Sequence, residues 1–285
     1  MEKLSIFFGR WKWVSILFLA IFTMACDDDD DGGITGPQLT GNSETYTLFA
    51  QSDPNISGSV VFAERDDGVT VITISLSGTD AAGDHPAHIH ANTAIETGGI
   101  VIDLNNVDGS TGQSITEVDT LNDGTSISYS ELIDFNGYIN VHLSSTDLAT
   151  LVAQGDIGQN ALNGNTTSYP LSDVSDPNIS GTALFAERAN GTTLVSINLT
   201  GTTAGGDHPA HIHENDAATG GDVVLSLTNV NGDNGISVTN VTQWDDGTAV
   251  TYQDLIAYGG HLNVHLSAAD LATLIAQGNI GSNAN

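Results

Sequence analysis

The chain has 285 residues and sets 35 acidic against 5 basic side chains, a formal net charge of −30 at pH 7. So negative a surface repels phosphate backbones and anionic headgroups, which excludes nucleic-acid binding and electrostatic docking on a membrane and makes cations the natural counter-charge. With 1 cysteine, no disulfide can close within the chain.

In chain order, residues 1–25 read as an export signal. Lys3, Arg10 and Lys12 supply its positive start, and Trp13 to Ala25 form an apolar run too short to span a bilayer. Thr23, Met24, Ala25 and Cys26 resemble a bacterial lipoprotein signal, which implies that Cys26 is acylated and heads the mature protein. Asp27 to Asp31 resemble the acidic tag of Bacteroidota surface lipoproteins. The expectation is therefore an exported protein, lipid-anchored through Cys26 to the outer membrane and displayed on the surface of a Gram-negative cell. Residues 26–43 serve as its acidic tether. Beyond the signal the only cations are Arg65 and Arg188.

The mature part is one unit written twice. SDPNISG at Ser52 returns at Ser175, FAER at Phe62 returns at Phe185, HPAHIH at His85 returns at His208, and NVHL at Asn140 returns at Asn263. A single offset relates them, so two domains are expected, at 44–162 and 171–285, with 163–170 as the linker. Within each unit the periodicity is that of strands. Ile72, Ile74 and Leu76 alternate with polar neighbours, as do Val195, Ile197 and Leu199, and Asp67-Gly68 or Asn190-Gly191 marks a hairpin before them. A short helix is expected to close each unit, capped by Ser144 or Ser267, with Asp147 or Asp270 in its first turn and Gly155 or Gly278 at its end. The predicted fold is all-β: two tandem antiparallel Greek-key β-sandwich domains, each with a short C-terminal helix. Arg65 and Arg188 are expected to make structural ion pairs.

All 9 histidines fall in two places per unit. The first unit has His85, His88, His90 and His142; the second has His208, His211, His213, His265 and an extra His261. On a strand His88 and His90 share one face while Ile89 takes the other, and around His142 the apolar parity is Ile139, Val141 and Leu143. The imidazoles therefore belong on the outer face or under a loop. If the two strands are neighbours, three or four neutral imidazoles converge and suit Zn or Cu. The competing reading is that these rings tie down the loop after His90 through bonds to backbone carbonyls. His261 stands where the first unit has Tyr138.

AHIH at Ala87 and Ala210, followed by YINVHL at Tyr138 and HLNVHL at His261, resemble the CHRD domain. That resemblance implies an extracellular β module that binds or scaffolds, with no established catalytic activity; the expected partner is a cation, a glycan or another envelope protein. The His-x-His strand with a later histidine is also similar to copper/zinc superoxide dismutase, which implies the alternative of a metalloenzyme.

Overall fold

The computed structural model describes residues 36–284. The export signal, Cys26 and the aspartates after it lie outside the described residues. Among the described residues no helix is long and apolar enough to cross a membrane.

The fold is all-β and antiparallel, in two sheets that each close on themselves. The first comprises β1 (Leu39–Ala50), β2 (Ser57–Arg65), β3 (Thr70–Ser77), β4 (Asp84–Ala91), β5 (Ile100–Asp108), β6 (Gln113–Val118), β7 (Asn136–Ser144) and β8 (Asp147–Gly158). Around it the order is β1-β2-β3-β6-β5-β4-β7-β8, so β3 neighbours β6 and β4 neighbours β7 across two crossovers. Closure rests on a short ladder, Phe49 opposite Gln154 and Ala50 opposite Ala153. The second sheet repeats this order with β9 (Leu162–Asp173), β10 (Ser180–Arg188), β11 (Thr193–Thr200), β12 (Asp207–Glu214), β13 (Val223–Asn231), β14 (Ile236–Val241), β15 (Gly260–Ser267) and β16 (Asp270–Ile280), β9 playing the part of β1. By contacts the chain forms two compact units, one made of residues up to 90, 100–133 and 139–155, the other of 91–99, 134–138 and 156 onward.

Alternation builds each core. In β3 the residues Ile72, Ile74 and Leu76 point inward between half-exposed Thr73 and Ser75, and Phe62 and Val60 meet them from β2. Phe185, Val195, Ile197 and Leu199 do the same in the second unit. The hairpins before these strands turn at Gly68, φ +88°, and Gly191, φ +80°, a conformation that only glycine adopts without strain.

Two expectations are corrected. Residues 163–170 are not a linker, since they lie inside β9 and pair with β10; likewise β1 starts at Leu39, within the stretch read as tether. The expected closing helices are strands, since Asp147 to Gly155 and Asp270 to Gly278 lie in β8 and β16, and the one helical segment directly after either of them among the described residues is a single 3-10 turn, Gly281–Asn283. Ser144 does accept a hydrogen bond from the Asp147 N–H, and the Asp147 carboxylate one from the Thr150 N–H, as at a helix start. Here those bonds shape the tight turn from β7 into β8, and the long ladder to a neighbouring strand outweighs the local helical pattern, leaving Leu148 49% exposed. The helices are instead α1 (Tyr129–Ile133) and α2 (Tyr252–Ala257), just before β7 and β15. A capping box starts α2, with Thr251 and Asp254 each bonding the other's backbone N–H. Ser128 and Glu131 exchange the equivalent bonds at α1.

Arg65 and Arg188 each pair with a carboxylate. Arg65 reaches Asp67 at 2.8 Å and Glu117 at 2.7 Å near the surface, and these bonds raise its already high pKa. Arg188 has no exposed surface. Within the second unit it donates to Asp156 at 2.7 Å, to Asn240 Oδ1 at 2.9 Å and to the Asn160 carbonyl.

Candidate metal centre

Strands β4 and β7 are neighbours in the closed sheet, as are β12 and β15, and this adjacency assembles the histidines. Ile89 and Val141 are fully buried in the core, so His88, His90 and His142 stand on the opposite face, where His90 and His142 are nonetheless buried. His88, His90 and His142 offer ring nitrogens that all lie within 4.8 Å of one another; so do His211, His213 and His265. Among the described residues these are the two groups of three or more metal-ligating side chains.

Protons on these rings follow from their partners. His142 Nδ1 lies 2.7 Å from the Leu148 carbonyl, and His265 Nδ1 lies 2.7 Å from that of Leu271. His213 Nδ1 lies 3.0 Å from the Gly221 carbonyl. A carbonyl only accepts, so each Nδ1 carries the hydrogen and each Nε2 keeps its lone pair. In the second unit His213 Nε2, His265 Nε2 and His211 Nδ1 are buried without a hydrogen-bond partner. In the first unit His88 Nδ1 stands 3.1 Å from His142 Nε2. Two imidazole ligands ~2.0–2.1 Å from a tetrahedral ion stand about 3.4 Å apart, so this pair already has ligand spacing. Converging buried lone pairs repel one another unless a proton or a cation lies between them.

The competing uses of histidine thus coexist. His213 ties the loop after β12 through Gly221 and still aims its other nitrogen at the cluster. The turn misread as a helix start has a direct role, because the carbonyls of Leu148 and Leu271 would be engaged within a helix but here are open to His142 and His265.

His85 and His208, expected among the ligands, are not in either cluster. Each is buried and places Nδ1 against two carbonyls of the neighbouring strand: His142 at 3.1 Å and Leu143 at 2.9 Å for His85, His265 at 3.2 Å and Leu266 at 2.8 Å for His208. Pro86 or Pro209 follows, with no N–H to give, and the imidazole supplies a donor where the strand has one fewer. The ring fits only because Gly83 and Gly206 lack a Cβ, which would stand 2.3 or 2.4 Å from Nε2. His261, also buried, stacks on His213 at 5.1 Å and 19° and places Nδ1 3.0 Å from the Asn215 carbonyl. It packs behind a ligand ring and is outside the cluster.

Burial depresses the pKa of His88, His142, His211 and His213, reinforced in each by neighbouring imidazoles. The folded state therefore favours their neutral, metal-competent form. A histidine held below its ordinary value of ~6.5 stabilises the fold fully above that pH and loses the contribution as pH falls through the depressed value. Urea unfolding of metal-free protein is expected to show a midpoint that drops between pH 7.5 and about 5.5; a flat profile over that window would contradict it. No family model matches the chain, and a search of curated proteins found no match either.

Proposed function

We propose that this chain is a surface-displayed lipoprotein whose two CHRD-like domains form a binding module, each holding one zinc or copper ion on three imidazoles. The observation that carries the reading is the second unit's trio of partnerless ring nitrogens, His211 Nδ1, His213 Nε2 and His265 Nε2. The first unit offers His88, His90 and His142 in the same arrangement. Three neutral imidazoles with no thiolate suit zinc or copper and disfavour calcium and magnesium, which take oxygen ligands. The crossovers from β3 to β6 and from β4 to β7 support reading each closed sheet as a Greek key. The charge of −30 supports a cation, a neutral glycan or another envelope protein as partner, and argues against nucleic acid.

Metal analysis of purified protein tests the centre. Two equivalents of zinc or copper per chain are expected after equilibration, and metal-free protein at neutral pH would refute it. The second reading, a metalloenzyme of superoxide-dismutase type, is favoured by one observation: the ligands come from a His-x-His strand and its neighbour, β4 with β7 and β12 with β15. A superoxide assay on the copper-loaded protein decides between the two.

The anchor has its own test. Cys26→Ser is expected to move the protein from the membrane pellet to the soluble fraction after cell fractionation. Continued sedimentation with membranes would mean that something other than an acyl chain retains it.

A further inference from the structure

The rings of the two centres are not all held alike. His142, His213 and His265 donate from Nδ1 to carbonyls and present Nε2. His211 presents Nδ1, and His88 turns Nδ1 to within 3.1 Å of His142 Nε2. Without an ion that contact is a hydrogen bond in which His88 Nδ1 donates to the His142 Nε2 lone pair; for Nδ1 to bind an ion the hydrogen must move to Nε2, and Nε2 of His88 faces a carboxylate, Asp103 Oδ1, at 3.8 Å.

Asp103 lies directly across the β4–β5 ladder from His88. Asn122 clamps it, with Asn122 Nδ2 donating to Asp103 Oδ2 at 3.1 Å and the Asp103 N–H donating to Asn122 Oδ1 at 3.1 Å. In the second unit the residue across from His211 is Ser226, and the counterpart of Asn122 is Asp245. Asp245 now makes the clamp, accepting from the Ser226 N–H at 2.9 Å and from Ser226 Oγ at 2.8 Å. Carboxylate and polar partner have exchanged places between the two copies, and in each a carboxylate is held at the strand position across from the ring.

We infer that Asp103 and Asp245 are positioning residues of the two metal centres, each fixing the proton of its histidine on Nε2 so that Nδ1 is free for the ion. This rests on the metal reading and deepens it. A carboxylate beside Nε2–H favours that tautomer, raises the ring's basicity as a ligand and offsets part of the charge of a divalent ion held by neutral groups.

The test uses the full chain with the second centre disabled by His211→Ala and His213→Ala, zinc as the probe, and circular dichroism to verify the fold. Asp103→Ser is expected to weaken zinc binding at the first centre by about 10–100-fold. Asp103→Asn, which keeps a hydrogen-bonding group opposite Asn122, is expected to weaken it as well. Adding Asn122→Asp to Asp103→Ser writes the second unit's arrangement into the first and is expected to restore binding. In zinc-loaded protein, nitrogen NMR shifts of His88 should report Nε2–H with a metal-bound Nδ1 in the parent and the restored variant, and a loss of that signature in Asp103→Ser at the same zinc concentration. Unchanged zinc affinity in both Asp103 variants, or no recovery on adding Asn122→Asp to a folded protein, overturns this inference alone. If the parent takes up no zinc, the proposed metal centre falls and this inference falls with it.

Discussion

Changing His88 and His90 to alanine will lower the metal content from two equivalents per chain to one, and the mirror change of His211 and His213 will do the same. The four substitutions together leave none. The two clusters are separate groups, so each should empty independently. Removing two of three ligands leaves a single imidazole, which water displaces. Because zinc or copper competes with protons for the same lone pairs, and burial already holds these imidazoles below their ordinary value, release on acidification should occur below ~6.5. Two equivalents retained after the first change would place the ligands elsewhere. His85→Ala separates ligand from support: metal stoichiometry should stay at two while stability falls, since His85 bonds the carbonyls of His142 and Leu143 and not the ion.

Arg188→Ala will destabilise the second unit by about 3–5 kcal/mol, the usual cost of breaking a buried ion pair from one side. The guanidinium is fully buried and is the cation bonded to Asp156, whose side chain is 13% exposed; the same carboxylate also accepts from the Ala94 N–H at 2.8 Å. Its removal strands a shielded carboxylate and the Asn160 carbonyl. Joint replacement, Arg188→Met with Asp156→Asn, is expected to recover much of the loss, because the penalty comes from the orphaned charge and not from the absence of attraction. Arg65→Ala is the control: its partners Asp67 and Glu117 stand in solvent, and the denaturation midpoint should barely move. Denaturant titration of the three variants checks the order. A small effect for Arg188→Ala would show that solvent reaches Asp156 when the arginine is gone.

The chain's own order of residues determined the all-β character, the duplication and the facing of His88 and His90 away from Ile89, because strand alternation and turn glycines are local properties that the ladder does not alter. It also held the signal for α1 and α2: Ser128 with Glu131 and Thr251 with Asp254 are capping pairs, passed over for the similar Ser144 and Asp147. Which of those starts became a helix was decided by the tertiary structure, since β16 gains a full ladder from its hairpin partner β15, and β8 and β16 close their sheets on the distant strands β1 and β9. The division of the histidines was settled in the same way. His85, His88 and His90 look alike in the sequence, yet the crossover that sets β4 beside β7 turns two of them toward His142 and the third onto carbonyls. Asp103 and Asp245 carry no motif at all; the pairing of β4 with β5 sets Asp103 across from His88, and the turn after β14 brings Asp245 onto Ser226, across from His211. Residue type fixes which chemistry is available, whereas the cluster exists because backbone hydrogen bonding between far-apart segments places those residues within a few ångströms of one another.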